Sequence, residues 1–456
     1  MSAGRLVMPT RILIVGGGGR EHALAWKLAA EPGVNEVIVA PGSAGIAQEP
    51  RVRCLPGVDA LDGAAVVAAA RSVAAELVVV GPEAPLAAGV ADALGEAGFA
   101  VFGPSAAAAR IEASKAFCRD VAEAAGVPMA RGRSFAEGGA GAAAARAFAT
   151  ELAADGAGPG IVVKADGLAA GKGVTVCDTL EDALAAIDAL ADGPLVVEER
   201  LAGPEVSCIA VCDGTEALAL PFARDHKRLL DGDRGPNTGG MGACSPVPDA
   251  PDDDAEAIVA AFHAPVLAEL ARRGSPFRGA LYAGLMLTRR GPRLLEFNAR
   301  FGDPETQVIL PRLASALGPV LLAAAQGRLA GVRPALGLPD RRLPVLPGAA
   351  VAIVLAAAGY PDAPRSGDLI SGLMGTSGLA VPPARDALVF HAGTDRDAAG
   401  GWRTHGGRVL SVVGRGPDLP SARAAAEAGA ERIAWDGVQR RRDIAVPVAQ
   451  AVGSAP

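Results

Sequence analysis

The sequence predicts a mixed α/β protein, and two features of its residue pattern carry this prediction. In the N-terminal quarter, short runs of β-branched and aliphatic residues alternate with helical segments, which is typical of a parallel sheet covered by helices. Near the C-terminus, strand-like runs such as residues 388–391 and 408–413 predict a small β-rich closing domain. At 456 residues the chain is long enough for about three domains of ordinary size.

Four strands are predicted in the N-terminal region, and each ends at a glycine or proline. The first covers residues 11–15 and stops at the glycines of residues 16–19, which precede a predicted helix through Leu28. Strands that alternate with helices run parallel, so their loops gather at the carboxyl edge of the sheet, where α/β proteins bind ligands. The remaining strands cover residues 37–40, 77–80 and 100–102.

The glycines at residues 16–19 do not fit a dinucleotide-binding fingerprint. The third glycine of that fingerprint would fall at Glu21, and the second strand ends at Pro41 without an acid for a ribose. Glycines at the start of a helix, followed by Arg20 and His22, instead indicate a phosphate or carboxylate held by backbone N–H groups. The alternative is a tight strand-to-helix turn without a ligand.

The central region combines a helix with strands and glycine-rich loops. A helix is predicted around residues 110–125, and a later apolar strand carries Lys164, which is costly there unless its ammonium meets an anion. The loop at residues 167–173 is close to a P-loop, but it is one residue too short between its glycines and lacks Ser or Thr after Lys172. Residues 235–242 are rich in glycine, so they either let backbone N–H groups approach a ligand or form a surface turn.

Residues 294–307 carry the strongest chemical signal of the chain. An apolar strand runs into this segment, and Glu296 and Asn298 are two residues apart, so both point to the same face. Their oxygens suit Mg²⁺, which commonly binds one or two protein groups together with substrate phosphates. Arg300 continues the same parity and suits a carboxylate or a transferring phosphoryl group. The alternative is a strand edge followed by a solvated, charged turn.

The composition argues against several classes of protein. A net charge of −7 and a pI near 5.4 disfavour nucleic acid as the main partner, because binding a phosphate backbone needs a basic face. No run approaches the apolar length of a membrane span, and residues 1–10 lack the core of a secretory signal, so a cytoplasmic protein is predicted. Cys208 and Cys212 lack the partners of a zinc site, so the cysteines are expected to be thiols in a reducing compartment.

Taken together, these motifs resemble the phosphoribosylamine–glycine ligase family, also called glycinamide ribonucleotide synthetases, of the ATP-grasp superfamily. The resemblance runs in the family's order from about residue 11 to about residue 445. A single block of this kind is weak, whereas many blocks in the same order are specific. The blocks are residues 18–24, 80–86, 114–117, 164–174, 225–228, 235–243, 282–286, 294–307, 390–394 and 406–410.

The resemblance implies an organisation and an activity. It implies an N-terminal α/β domain at residues 1–107, an ATP-grasp domain at residues 108–330 with a lid at about 127–202, and a β-rich domain at residues 331–456. The implied reaction joins glycine to 5-phosphoribosylamine with ATP, through glycyl phosphate, and gives glycinamide ribonucleotide, ADP and phosphate in purine biosynthesis. Small-molecule substrates, no nucleic acid, no membrane and a monomer or weak homo-oligomer are expected.

The resemblance also assigns residues to ATP. Lys115 and Lys164 would hold its phosphates, and the loop around Lys172, a catalytic cation, would close over them. Glu198 would meet the adenine amino group and Glu205 the ribose hydroxyls, while the backbone between them meets the adenine edge. The nucleotide-binding residues implied in this way are Lys115, Lys164, Gly171, Gly173, Glu198, Glu199, Leu201 and Glu205.

A second set of residues is assigned to the metal and the other substrates. Glu296 and Asn298 would bind Mg²⁺, or Mn²⁺ in its place, and Arg300 would steady glycine's carboxylate or the acyl phosphate. By resemblance Asp225 would line the glycine and amine site, and as an acid beside a basic cluster in a glycine-rich region it is expected to keep the attacking amine neutral and oriented. Gly18, Gly19 and Arg20 would hold the phosphate of phosphoribosylamine, with help from Lys227. The other residues that would line the glycine and amine site are Thr238, Gly239, Gly240 and Asp303.

Two alternatives follow from the same residues. Another ATP-grasp carboxylate–amine ligase would share the ATP site. Residues 225–228 and 235–242 lie outside the nucleotide-binding motifs, so they favour phosphoribosylamine–glycine ligase over this alternative. A non-catalytic nucleotide-binding protein on the same fold is expected to have lost Lys164, Glu296 or Arg300, and all three are present.

Overall fold

The computed structural model describes residues 6–156, 158–167, 173–373 and 387–446, and it has the predicted mixed α/β fold. Its N-terminal elements are β1 (Arg11–Gly16), α1 (Gly19–Ala29), β2 (Glu36–Pro41), β3 (Val52–Cys54), α2 (Gly63–Ser72), β4 (Leu77–Val80), α3 (Glu83–Ala87), α4 (Val90–Glu96) and β5 (Val101–Phe102). The five strands form one parallel sheet in the order β3-β2-β1-β4-β5.

The order of these strands places a cleft at the ends of β1 and β4. The chain builds the sheet outward from β1 in one direction and from β4 in the other, so the strand order reverses between them. Parallel α/β sheets bind ligands at this point, outside the carboxyl ends of the strands. The glycines of residues 16–19 and the start of α3 at Glu83 therefore lie side by side.

Two helices follow, α5 (Ala106–Ala113) and α6 (Lys115–Ala124), where one helix was predicted over residues 110–125. That prediction is wrong, because the chain is extended at Ser114 with φ −136° and ψ 117°. The Ser114 hydroxyl accepts the N–H of Phe117 at 3.1 Å, and Asp166 accepts the N–H of Lys115 at 2.5 Å. A capping serine and a carboxylate at the first N–H groups stabilise a new helix start.

The next segment is a separate antiparallel sheet with two helices on one face. Its elements are β6 (Gly132–Phe135), α7 (Gly139–Ala154), β7 (Ile161–Ala165), β8 (Val174–Cys177), α8 (Leu180–Ala189) and β9 (Leu195–Glu199). The strand order is β6-β9-β7-β8. Its core is small and rich in alanine, with Phe148, Val163 and Ile187 among its buried residues.

The larger central sheet carries the predicted metal-binding strand. The elements of this region are β10 (Glu205–Asp213), β11 (Ala217–Ala219), β12 (Arg224–Asp225), β13 (Arg228–Leu230), β14 (Arg234–Asn237), β15 (Gly242–Ser245), α9 (Ala255–Ile258), α10 (Ala264–Arg272), β16 (Arg278–Thr288), β17 (Gly291–Asn298), α11 (Glu305–Ile309), α12 (Gly318–Ala325) and α13 (Val332–Leu336). The sheet has the order β11-β10-β16-β17. Glu296 lies opposite Gly284 and Asn298 opposite Tyr282 in the β16–β17 hairpin.

The C-terminal elements complete a sheet that the central region begins. They are β18 (Ala349–Ala356), β19 (Ala387–His391), β20 (Thr394–Arg396), β21 (Trp402–Thr404), β22 (Arg408–Gly416) and α14 (Leu419–Ala430). The sheet order is β12-β15-β18-β22-β19, so two strands of the central region pair with three of the C-terminal one. Residues of β12 and β22 are thereby held in a common framework.

Two further predictions can be compared with the structure. All six cysteines are free thiols, and Cys208 and Cys212 are buried on β10. Within the described ranges, no helix combines the length and the apolar character needed to cross a membrane.

Candidate active site

The glycines after β1 form a tight turn around a buried carboxylate. Gly16 has φ 124°, a backbone conformation that residues with a side chain rarely adopt. Glu21 folds back so that its Oε2 accepts the N–H of Gly18 at 2.7 Å, and a Cβ at Gly81 would lie 2.2 Å from its Oε1. The glycines therefore make room for Glu21, and the N–H of Gly18, a predicted phosphate contact, is used inside the protein.

A cavity of about 360 Å³ opens beside this turn. Five parts of the chain build it: the start of α1, the loop after β4, the segment after β17, the loop after β19 and the start of β22. Gly18, Gly19 and Arg20, the predicted phosphate-binding residues, all line it, together with Asp303. The complete lining is Gly17, Gly18, Gly19, Arg20, Glu21, Pro82, Asp303, Ala392, Gly393 and Arg408.

Arg408 joins this cavity to the predicted loop at residues 238–240. Its Nη1 donates to the carbonyl oxygens of Gly239 at 2.5 Å and of Asp303 at 2.6 Å. Burial alone would raise the pKa of Asp303, but the guanidiniums of Arg408 and Arg20 hold it below its usual value. Asp303 is therefore ionised between two arginines. The structure brings Arg20, Gly239 and Asp303 into one site, although separate motifs predicted them.

Lys227 reaches a different part of the site from the one predicted for it. Its Nζ forms an ion pair with Glu205 Oε2 at 2.6 Å, and none of the ion pairs or hydrogen bonds among the described residues joins it to Arg20. Burial alone would lower the pKa of Lys227, but Glu205 and Asp225 raise it well above its ordinary value. Its backbone oxygen accepts the Thr238 hydroxyl at 2.8 Å, so Lys227 also supports the glycine-rich loop.

Asp225 lies half-buried beside this lysine, next to the buried polar residues Ser207, Tyr282 and Glu305. Burial raises the pKa of Asp225 to about 7, with Lys227 opposing the shift and Glu305 adding to it. Ser207 links Tyr282 to Glu305 by hydrogen bonds, because its Oγ lies 2.8 Å from the Tyr282 hydroxyl and 3.3 Å from Glu305 Oε1. A carboxyl group with a pKa near neutrality can accept or release a proton at working pH.

Arg300 is held by acids from two other elements. Its Nη2 lies 3.1 Å from Glu112 Oε1 on α5, and its Nε lies 3.4 Å from Glu83 Oε2 on α3. Burial alone would lower the pKa of Arg300, but Glu112 and Glu83 hold it above its ordinary value. Arg300 is therefore a permanent cation in a fixed position at the end of β17.

Glu296 and Asn298 offer oxygen atoms on the same face of β17, as predicted from their spacing. Burial alone would raise the pKa of Glu296, but Lys227, Lys164 and Arg300 lower it below its usual value, and the Asn298 side chain donates to it. The described residues contain no group of three His, Cys, Asp or Glu side chains suited to a metal. An ionised carboxylate and an amide oxygen fit a hard cation that takes its other ligands from phosphates and water.

Lys164 connects the small antiparallel sheet to β17. Its Nζ lies 2.6 Å from Glu198 Oε2 and donates to the Leu295 carbonyl oxygen at 3.2 Å. Arg119 also reaches Glu198, at 2.9 Å from Oε1. Glu198, the predicted adenine contact, is thus the counter-ion of both Arg119 and Lys164 in this structure, whose side chains are 6% and 12% exposed. Burial alone would lower the pKa of Lys164, and Glu198 raises it above its ordinary value.

The other predicted ATP residues differ in how they are placed. Lys115 Nζ donates to the Gly167 carbonyl oxygen at 2.8 Å, which puts it at the start of the predicted closing loop. Gly171 and Lys172 lie outside the described residues, while the Gly173 carbonyl oxygen accepts the N–H of Ala165 at 2.8 Å. The Glu199 N–H donates to the Arg131 carbonyl oxygen at 2.8 Å, and Leu201 is half-buried just after β9.

Several residues of the site received no role from the sequence, among them Glu83, Arg408, Asp166 and Glu112. Glu83 and Arg408 lie in motifs that the resemblance uses, and Glu83 directly follows a parallel strand, where ligand-binding loops occur. Asp166 follows the strand that carries Lys164, so its position gave a similar signal. Glu112 stands in an alanine-rich helix with nothing to distinguish it from a solvated acid.

Comparison with known proteins gives the family. Family models of phosphoribosylglycinamide synthetase match in three parts: the N domain at residues 10–112, the ATP-grasp (A) domain at residues 113–306 and the C domain at residues 350–447. The phosphoribosylamine–glycine ligase of Streptomyces coelicolor is 51% identical over 441 residues, covering 97% of this chain and 100% of that protein. The ligase of Leifsonia xyli is 47% identical over 441 residues, covering 95% and 99%.

Solved structures show the same relationship. The crystal structure of phosphoribosylamine–glycine ligase from Thermotoga maritima has a TM-score of 0.72 and 33% identity, covering 95% of this chain and 99% of that one. A biotin carboxylase from Campylobacter jejuni has a TM-score of 0.66 at 16% identity, covering 95% and 93%, and shows a shared fold alone. Three matched domains and full-length relatives agree, so the chain belongs to the phosphoribosylglycinamide synthetase (phosphoribosylamine–glycine ligase) family of ATP-grasp enzymes.

Proposed function

We propose that this enzyme joins glycine to 5-phosphoribosylamine at the expense of ATP, giving glycinamide ribonucleotide, ADP and phosphate in purine biosynthesis. The observation that carries the proposal is the position of Arg300. It follows the proposed oxygen ligands Glu296 and Asn298 on β17, and it shares the Phe301 carbonyl oxygen with Arg20, which lines the cavity beside the glycine turn. One guanidinium thus stands between a nucleotide site and an anion-binding cavity.

The ATP site lies between the small antiparallel sheet and β17. Lys164 and Lys115 supply cations for the phosphates, and the loop at residues 168–173 closes over them with Lys172, as the resemblance implies. Glu205 serves the ribose hydroxyls with Lys227 at its side. In this arrangement Glu198 has two functions, since it neutralises Lys164 and Arg119 and also faces the adenine site. The backbone of Glu199 to Leu201 completes the adenine contacts.

The metal site consists of Glu296 and Asn298, and Mg²⁺ is the ion we propose, with Mn²⁺ able to replace it. The lowered pKa of Glu296 keeps its carboxylate charged, which suits a divalent cation. When bound, the ion neutralises charge on the transferring phosphoryl group.

Arg300 prepares glycine for the first chemical step. A carboxylate is a poor electrophile, so one of its oxygens first attacks the γ-phosphorus of ATP, and ADP leaves. Arg300 holds the carboxylate in line for this attack and stabilises the resulting glycyl phosphate. Because Glu112 and Glu83 already fix the guanidinium, little reorganisation is needed as the charge moves.

The second substrate occupies the cavity beside the glycine turn. Its phosphate meets Gly19 and Arg20, with Gly18 shaping the turn, and Thr238, Gly239, Gly240 and Asp303 line the space between the two substrates. The amine nitrogen attacks the acyl carbon, phosphate leaves, and the nitrogen loses a proton. Asp225 keeps that amine neutral and oriented, and a pKa of about 7 suits a group that exchanges protons.

We also propose the setting in which the enzyme works. The domain boundaries are those expected from the sequence, at about residues 107 and 330, with the lid at about 127–202. We propose a cytoplasmic enzyme, and its six free thiols support a reducing compartment. We propose a monomer or weak homo-oligomer that binds its substrates without nucleic acid or a membrane.

An ADP-release assay tests the reaction. ATP, Mg²⁺, glycine and freshly generated phosphoribosylamine are supplied together, and each is omitted in turn. Sustained ADP release is expected with the complete mixture alone. Replacement of glycine by alanine or serine at the same concentration tests for a related ligase. Turnover with one of these amino acids but not with glycine would reject the proposed function.

A further inference from the structure

Arg20 and Arg300 approach each other closely for two like charges. The Nη1 atoms of both donate to the same carbonyl oxygen, that of Phe301, at 3.1 and 3.2 Å. Their side chains are only 11% and 18% exposed, so water screens their repulsion weakly. Two guanidiniums in this arrangement need an anion between them.

Glu83 occupies that position. Its Oε2 lies 3.5 Å from Arg20 Nη1 and 3.4 Å from Arg300 Nε. Burial alone would raise the pKa of Glu83, but the two arginines hold it below its usual value, so the carboxylate is charged. Arg20 also pairs with Asp303, and Arg300 with Glu112. Among the ion pairs of the described residues, Glu83 is the acid that both arginines share.

The contact depends on charge rather than on directed hydrogen bonds. Within the described part of the chain, neither Glu83 Oε2 nor Arg300 Nε has a hydrogen-bond partner. Replacing Glu83 by Gln keeps its shape and one acceptor oxygen, and removes the charge. This substitution therefore isolates the property that holds the two arginines together.

The fold explains how one acid reaches both arginines. Glu83 begins α3 directly after β4, Arg20 lies at the start of α1 after the neighbouring β1, and Arg300 follows β17. The acid therefore stands where the N-terminal sheet meets the central sheet. Each arginine belongs to one of these two units, so the spacing between them is a property of the junction.

On the basis of the proposed function, we propose that Glu83 is a positioning residue shared by the two substrate sites. Its charge sets the spacing of Arg20 and Arg300. It thereby sets the distance between the phosphate of the amine substrate, on Arg20, and the carboxyl group of glycine, on Arg300. Glu83 contacts the two arginines and not the reacting atoms.

Steady-state kinetics of Glu83→Gln test this proposal. ADP release is measured while glycine or phosphoribosylamine is varied and the other substrates are saturating. We expect the KM values of both substrates to rise about tenfold, since both anchors lose their common counter-ion. We expect Glu112→Gln, the matched control, to raise the KM of glycine and to leave that of phosphoribosylamine unchanged, because among the ion pairs of the described residues Glu112 makes one with Arg300 and none with Arg20.

Two further measurements separate positioning from general damage. Glu83→Asp keeps the charge on a shorter side chain and should shift both KM values in parallel, but less than Glu83→Gln does. A melting temperature close to that of the wild type in each variant shows an intact fold. A change in one KM alone, or in neither, rejects the inference while the wild type remains active. A wild-type enzyme without glycine- and phosphoribosylamine-dependent ADP release rejects the proposed function, and this inference with it.

Discussion

The backbone N–H of His391 donates to Nδ1 of His22 at 2.8 Å, and this bond joins the C-terminal sheet to helix α1. Because Nδ1 accepts, the proton is on Nε2, which donates to Glu49 Oε1 at 3.0 Å. His22 is fully buried and stacks on the His391 ring at a centroid distance of 5.6 Å. His22 therefore fixes α1, the helix that begins at the predicted phosphate site, through two partners, the backbone of His391 and the side chain of Glu49.

We expect His22→Ala to destabilise the protein by about 2–4 kcal/mol, since it leaves a buried N–H and a buried carboxylate without their ring partner and opens a cavity. Urea unfolding followed by circular dichroism measures the change. His405→Ala is the control, because that histidine side chain is exposed in the same C-terminal region. Equal midpoints for the two variants would show that the bond between His22 and His391 contributes little.

We expect Gly17→Ala to weaken both stability and substrate binding. A Cβ at Gly17 would lie 2.6 Å from the backbone oxygen of Gly42, and a backbone atom cannot move away cheaply. The loss of stability should be about 1–3 kcal/mol, and the KM of phosphoribosylamine should rise because Gly17 lines the cavity. At Gly95, exposed in α4 with open space around its Cβ position, alanine should instead stabilise by up to about 1 kcal/mol. A Gly17→Ala enzyme with unchanged KM would contradict the placement of the phosphate.

Glu296→Ala should abolish Mg²⁺-dependent turnover while the fold remains intact. The substitution removes the one carboxylate of the proposed metal site, and we expect kcat to fall about 100-fold or more. Titration of Mg²⁺ in the ADP-release assay measures both the loss and any shift in half-saturating concentration. Glu137→Ala, at an exposed acid, serves as the control. Turnover like that of the wild type in Glu296→Ala would reject the metal assignment.

The activity should fall on the acidic side of neutrality because of Asp225. Its pKa is raised to about 7, so the carboxylate is protonated at pH 6 and ionised at pH 8. A group that keeps the amine neutral must be ionised, so kcat should rise with pH and level off above about pH 8. Asp225→Asn should lower the plateau about 100-fold and remove this acidic limb. An identical pH profile in wild type and variant would rule out this role.

The same raised pKa affects stability in the opposite direction. The folded state binds the Asp225 proton more tightly than the unfolded state does, so this group stabilises the fold most below pH 4. That contribution is lost as the pH rises through about 7. The stability of Asp225→Asn relative to the wild type should therefore be higher at pH 8 than at pH 5. Thermal unfolding of both proteins at the two pH values measures this difference.

Local chain geometry explains which parts of the fold were predictable from the sequence. The β-branched runs predicted β1, β2 and β4 nearly to their ends, because a parallel strand buried on both faces is apolar throughout. The one predicted helix over residues 110–125 failed at Ser114. Its cap depends on Asp166, which lies 52 residues away, and periodicity within the helix contains no such information.

In the candidate site, too, some features were predictable from the local sequence and others depended on residues far apart in the chain. The sequence by itself determined which side chains can do chemistry and which of them share a face: the parity of Glu296, Asn298 and Arg300 is a property of one strand. Only the tertiary structure decided their partners. Glu83 meets both Arg20 and Arg300, and Arg408 arrives from the C-terminal sheet to hold Asp303. The physical reason is that a buried charge must be neutralised, but any acid that packing brings close can do so, and its distance along the chain is unconstrained.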